Sequence, residues 1–193
     1  MQSLVYLCCV QVVKNTKISI GEFSDCEEIK EQLFKILKPI DQLTILGEVK
    51  KFHTCGNTKS HIKFSGDKRH GLHLEWYPDG KLKKKGNFDN GVEHGEVCLW
   101  YENGNKKLLC NYVFGKQNGE KIHWDSFGRI TSKHFFKDDK LHGPVIVYRA
   151  RDTIYSNFRE GYRHGELKYV NSAGKITRHD LYINGIRVMS YLE

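Results

Sequence analysis

From about residue 60 onward the hydrophobic side chains fall in short alternating runs separated by glycine, and the runs repeat. The chain reads Phe64-x6-Gly71-x4-Trp76, Phe88-x6-Gly95-x4-Trp100, Tyr112-x6-Gly119-x4-Trp124 and Phe136-x6-Gly143-x4-Tyr148, each 24 residues after the last, then Phe158-x6-Gly165 after 22. Alternation with period two predicts strands. Within one unit Glu96, Cys98 and Trp100 alternate, Asn103-Gly104 supplies a turn, and Lys106, Leu108, Cys110 and Tyr112 alternate again, which predicts a β-hairpin. Counting parity straight through the turn groups Leu72, Leu74 and Trp76 with Leu82 and Phe88. It also groups Ile122 and Trp124 with Ile130 and Phe136, and Ile146 and Tyr148 with Ile154 and Phe158. On that count every hairpin carries its aromatic residues on one face.

The unit shortened by two residues between Asp152 and Phe158 supports strands, because a deletion of two leaves every later side chain on its face and a deletion of one would invert the pattern. In the fifth unit Glu166, Lys168 and Val170 occupy the positions of Glu96, Cys98 and Trp100, Leu167 and Tyr169 sit on the opposite parity, and Arg178 and Asp180 lie on the run from 175 to 182. We read this as a polar terminal cap with those two charges facing out or at the edge.

The first part of the chain has a different pattern. An apolar run at 4–13 predicts a buried strand. Ser24 with Glu27 has capping-box spacing, and Ile29, Leu33, Ile36 and Leu37 follow at helical spacing until Pro39. Ile40, Leu43, Leu46 and Val49 continue as a second short helix. The expected organisation is a strand-helix-helix part over 1–58, docked on the array and covering its first edge, and about five hairpin units over 59–193.

The repeated signature is an aromatic, two residues, Gly or Asp, two residues, His/Asn-Gly, a strand ending in an aromatic, and a second turn at Asp/Asn-Gly. It resembles MORN repeats, and more closely their variant form. Gly91-x-x-His94-Gly95-Glu96 with Trp100-Tyr101-x-Asn103-Gly104 matches that pattern, as does Gly161-x-x-His164-Gly165-Glu166; Asp67 and Asp139 replace the first glycine in two units and Asn118 replaces histidine in one. The resemblance spans roughly residues 60–188. It implies a mainly β fold, a single-sheet antiparallel array of stacked hairpins with a small N-terminal α+β part. At about 4.8 Å per strand, ten or eleven strands make a ribbon about 50 Å long with its aromatic rungs along one concave face. For function it implies a non-enzymatic scaffold for protein–protein interaction, with anionic membrane lipids as the alternative and a nucleic-acid-binding or antitoxin-like role as a second alternative.

Composition adjusts this only slightly. The chain has 193 residues, 39% hydrophobic and 28% charged, within the range of a soluble domain. Six cysteines include an adjacent pair, Cys8 and Cys9, and no CxxC spacing, so reduced thiols in an intracellular, cytoplasmic protein fit better than disulfides or zinc. The formal net charge is +8, and nearly all the excess lies beyond residue 60, since residues 1–60 hold 8 basic and 7 acidic side chains.

Candidate chemistry is sparse. No nucleophile-and-base motif and no phosphate-cradling loop stands out, and no cofactor or metal is expected. His70, His94, His142 and His164 recur before glycine, but Asn118 in the same place cannot replace a metal ligand, so turn geometry with positive φ is the expected role. Gly71, Gly95, Gly119, Gly143 and Gly165 are read as hairpin punctuation. Trp76, Trp100, Trp124 and Tyr148, with Phe64, Phe88, Tyr112, Phe136 and Phe158, form the structural ladder. The candidate binding surface is basic: Lys81, Lys83, Lys84 and Lys85, joined by Lys106 and Lys107 of the next hairpin. The expected partner is a protein, with an anionic membrane next, nucleic acid after it, and self-association through a sheet edge left open.

Overall fold

The computed structural model describes residues 42–45 and 47–192. Among these, every regular element is a strand, and the strands form one antiparallel sheet. In chain order they are β1 Gln42–Ile45, β2 Glu48–Phe52, β3 Thr58–Ser65, β4 Lys68–Trp76, β5 Leu82–Asp89, β6 Val92–Glu93, β7 Gly95–Trp100 and β8 Lys106–Val113. There follow β9 Lys116–Gln117, β10 Gly119–Trp124, β11 Ile130–Lys137, β12 Lys140–Tyr148, β13 Asp152–Arg159, β14 Tyr162–Asn171, β15 Ile176–Ile183 and β16 Ile186–Leu192. Sheet order follows chain order, with the two-residue strands β6 and β9 pairing only with β5 and β8.

Two kinds of connection alternate. The tight ones place two residues with positive φ between paired strands: Asn90 and Gly91 (49° and 92°), Phe114 and Gly115 (48° and 81°), Asp138 and Asp139 (49° and 66°), Glu160 and Gly161 (52° and 87°), Asn184 and Gly185 (49° and 86°). Two left-handed residues in succession match the strand twist, which is why a two-residue loop suffices. The second residue of each turn also reaches back to the preceding hairpin. Gly91 N–H donates to Arg69 O (2.8 Å), Gly115 to Glu93 O (2.8 Å), Asp139 to Gln117 O (3.0 Å), Gly161 to Leu141 O (2.8 Å) and Gly185 to Arg163 O (2.7 Å).

The longer connections carry a β-bulge, between Glu75 and Trp76, Leu99 and Trp100, His123 and Trp124, and Tyr169 and Val170 against their partner strands. A bulge inserts one residue into one strand and inverts parity beyond it. Leu72 and Leu74 therefore pair with Asn87 and Lys85, while Phe88 pairs with Gly71; Cys110 pairs with Val97, and Cys98 with Leu109. This corrects the single aromatic face. Trp76, Trp100, Trp124 and Tyr148, each two residues beyond Leu74, Cys98, Ile122 and Ile146, share one face, and Phe64, Phe88, Tyr112, Phe136 and Phe158 line the other.

The shortened unit keeps its register, as the even deletion requires. Tyr148 pairs directly with Thr153 and no bulge intervenes, so Ile146 faces Tyr155 and Ile154 stays in the row of Val147 on the opposite face. The two missing residues are the bulge residue and one loop residue.

The phenylalanine face holds most of the buried side chains. Val97, Cys110, Val145 and Leu167 are buried there, with Asp180 beside Leu167 at the end of the same row. The expected polar cap is corrected at this point. Asp180 is 0% exposed, accepting from Ser190 Oγ (2.6 Å), Arg178 Nε (2.8 Å) and Arg178 Nη2 (2.7 Å). The edge strand is instead β16, where Ile186, Val188, Met189 and Tyr191 are exposed. The second expected helix, over 40–49, is also corrected: Gln42–Ile45 and Glu48–Phe52 form a hairpin, with Leu43 opposite Lys50 and Thr44 opposite Val49. Spacing by three suits a helix face, but sheet pairing to β3 decides the conformation. The strand expected at 4–13 and the first helix lie outside the described residues.

The Ser190 hydroxyl bond, then the Arg178 partnership, hold the Asp180 carboxyl below its ordinary value of 3.8. Such a lowered group contributes stability that is fully present above its unfolded value and is lost as pH falls through the still lower folded value. Asp180→Asn should therefore melt below the parent at neutral pH, with the gap closing under acid conditions, read by near-ultraviolet circular dichroism. A gap that stays constant from neutral pH to below that ordinary value would contradict this role.

Candidate functional site

Of the six lysines, four follow one another on or just before β5 and two open β8, with β7 between these strands. Lys84 pairs with Glu75 and Leu99, Lys85 with Leu74 and Cys98, so these consecutive residues point to opposite faces. Their charges are also partly matched. Lys84 Nζ meets Glu93 Oε1 at 3.0 Å, and Lys81 Nζ meets Asp79 Oδ2 at 2.8 Å while donating to Glu102 O at 3.0 Å. The bond to Asp79 holds the Lys81 ammonium above its ordinary value.

The other lysines lie against rings. Lys83 Nζ stands 5.8 Å from the Tyr77 centroid, Lys107 Nζ 5.4 Å from Tyr101 and Lys106 Nζ 5.9 Å from Trp124. These are cation–π distances. The tyrosines are themselves ties between hairpins: Tyr77 Oη donates to Trp100 O and Tyr101 Oη to Trp124 O, both at 2.8 Å, and His53 Nε2 lies 3.0 Å from Trp76 O. Asn57 donates to Pro78 O, and Asn103 and Asn105 donate to Ser126 O, along the same side. The lysines thus decorate the loops through which one hairpin is fastened to the next.

The recurrent histidines serve the opposite side of the ribbon. Positive φ falls on the glycine that follows each, from 79° at Gly71 to 98° at Gly143, and not on the histidine, which corrects the turn-geometry expectation. At His70, His94, His142 and Asn118 the side chain reaches the next tight turn instead. His70 Nδ1 stands 3.4 Å from Asp89 Oδ1, His142 Nδ1 3.4 Å from Glu160 Oε1, His94 Nδ1 accepts from Phe114 N–H at 3.4 Å, and Asn118 Nδ2 donates to Asp138 Oδ1 at 3.3 Å. An amide and an imidazole interchange here because either can span that gap.

The family model described as MORN repeat variant matches residues 69–90 and 93–113. Those two stretches are similar to MORN repeats of the variant kind. The two matched stretches hold all six lysines, the tight turns at Asn90–Gly91 and Phe114–Gly115 fall at or just beyond their ends, and the later units repeat the backward bond of the tight turn at Asp139, Gly161 and Gly185. No curated protein matches the chain. MORN repeats are commonly involved in protein or membrane-lipid interactions and are generally non-enzymatic.

A second surface escaped the sequence pattern. On the tryptophan face of the hairpin array, Ile146 lies opposite Lys133 on one side and Tyr155 on the other, with Pro144 and Tyr148 two residues away along its strand. Phe135, two residues from Lys133, packs beside Gly143, where an added Cβ would meet its side chain at 3.6 Å. Phe135 and Tyr155 are each 42% exposed. The signal was present in the alternation Pro144, Ile146, Tyr148, but straight parity counting joined it to Ile154 and not to Tyr155. The thiols offer little chemistry, since burial and then the Glu96 bond push Cys98 up to about 11, and burial raises Cys110.

Tyr101→Phe removes the hydroxyl that bonds Trp124 O and should cost about 0.5–1.5 kcal/mol in urea unfolding. Tyr155→Phe, whose hydroxyl makes no such tie, serves as the reference. Equal midpoints for the two variants would contradict the fastening role.

Proposed function

We propose that this protein is an intracellular scaffold that binds a protein partner through the tryptophan face of its MORN array. The observation that carries this reading is the cluster of Phe135, Pro144, Ile146, Tyr148 and Tyr155, apolar side chains gathered on a face over which no second layer packs among the described residues. Aromatic side chains with exposed apolar area are the usual anchors of protein interfaces, because they bury much surface for few lost rotations. A single-layer sheet supports them rigidly from behind.

The lysine loops favour this reading over a membrane surface. Two of the six lysines are held by carboxylates and three lie over rings, so much of their charge is already engaged. Lipid attraction needs basic groups directed outward together, each contributing about 1 kcal/mol near an anionic surface. The free thiols Cys55, Cys98 and Cys110 support a reducing compartment.

Flotation with neutral and anionic vesicles, combined with photocrosslinking from position 155, tests the proposal. The expected result is no flotation at physiological salt, and a defined crosslinked partner lost on Phe135→Ser combined with Ile146→Ser. Flotation with anionic vesicles that disappears in a Lys83, Lys84, Lys106 and Lys107 to Glu variant would replace the scaffold with a membrane tether.

A further inference from the structure

The phenylalanine face contains one interruption. In one row Leu99 and Leu108 are followed by His123 and Ser132 and then by Val147 and Ile154. In the adjacent row Val97 and Cys110 are followed by Lys121 and His134 and then by Val145. Four polar side chains on β10 and β11 thus form an island among apolar neighbours. With strands about 4.8 Å apart and alternate residues about 6.8 Å apart, its corners enclose an area suited to one small ion.

The chemistry of the island has a single sign. Ser132 is buried, and the two imidazoles and the lysine are half-buried. The His123 and His134 rings stand 5.9 Å apart at 73°, and Lys121 Nζ lies 5.5 Å from the Phe136 centroid. Among the described residues no carboxylate pairs with Lys121, His123 or His134, and the groups facing them from the flanking strands are Leu108 and Cys110 on β8 and Val145 and Val147 on β12. Burial, followed by the Lys121 charge, holds the His123 imidazole below its ordinary value; burial, then His123, then Lys121, does the same at His134. The lysine repels a metal cation, whereas an anion would relieve the crowding of like groups and accept from all four donors.

We propose that Lys121, His123, Ser132 and His134 form a binding site for a phosphate dianion, free or as a monoester. This site lies on the face opposite Ile146 and does not depend on the scaffold reading. Bound phosphate stabilises both imidazolium forms, so the two histidines should titrate at higher pH together when it is present.

Histidine ring resonances of the full chain, followed through pH titrations with inorganic phosphate against chloride at constant ionic strength, test this. The expected result is a saturable upward shift of His123 and His134 only, with Lys121→Met and His134→Gln each weakening binding about tenfold. Lys133→Met, one residue away but on the other face, should leave it unchanged. No saturable shift in the unaltered protein, or equal weakening by Lys133→Met, would overturn the site; the unaltered protein decides even if a variant fails to fold. Repeating the titration with glycerol phosphate and with vesicles of phosphatidic acid assigns the source: response to both marks a lipid headgroup as an accessible ligand, response to the soluble ester alone marks a small molecule, and either upholds the site.

Discussion

The backward hydrogen bond from each tight turn is the interaction on which the rest of this sheet depends. Among the described residues no opposing layer holds the hairpins in line, so their alignment comes from contacts between neighbours. Here the N–H at Gly91, Gly115, Asp139, Gly161 and Gly185 reaches a carbonyl of the preceding hairpin, and only a turn with two left-handed residues aims it there. Glycine holds the second position in four of these five turns because positive φ carries no steric cost for it. On the other side of the ribbon the tyrosine hydroxyls and asparagine amides bind the next loop's carbonyls. The hairpins as far as Ser126 are fastened at both ends, those beyond it by the backward turn bond, and stability is a sum of neighbour terms more than the product of one interior.

The bulge at the end of each tryptophan strand then divides the labour between faces. Phenylalanines and the small buried residues gather on one side, where cations cover rings: Arg69 over Phe88, Lys121 over Phe136 and Arg163 over Tyr182. Tryptophans and the cluster around Ile146 gather on the other. A sheet with all its aromatics on one side would have had a single sticky surface; this one has a packed face bearing a polar island and a second face available for a partner.

Much of the architecture was legible in the sequence, because hairpin period and turn chemistry are local. The glycine positions, the Asn-Gly turns and the harmlessness of a two-residue deletion all follow from backbone rules. The bulge was not legible, since counting parity through a loop cannot reveal an extra residue in the strand beyond it, and Cys98 and Cys110 were consequently placed together. The apolar spacing of three that includes Leu43 and Val49 suited a helix face, yet the hairpin places Leu43 opposite Lys50 and Val49 opposite Thr44, so sheet pairing and not local spacing decides the conformation. Asp180 looked like surface because its partner Ser190 stands on another strand. The lysines were visible as a cluster, yet their engagement by Asp79, Tyr77 and Tyr101 of the same loops and by Glu93 and Trp124 farther along the chain depends on folded geometry, and the island of Lys121, His123, Ser132 and His134 exists only once β10 is laid beside β11.

The division of faces is tested most directly by cross-strand nuclear Overhauser contacts between β7 and β8. The account predicts contacts that pair Val97 with Cys110 and Cys98 with Leu109. Contacts pairing Cys98 with Cys110 would place both on one face, remove the bulge and contradict the separation of the two aromatic ladders.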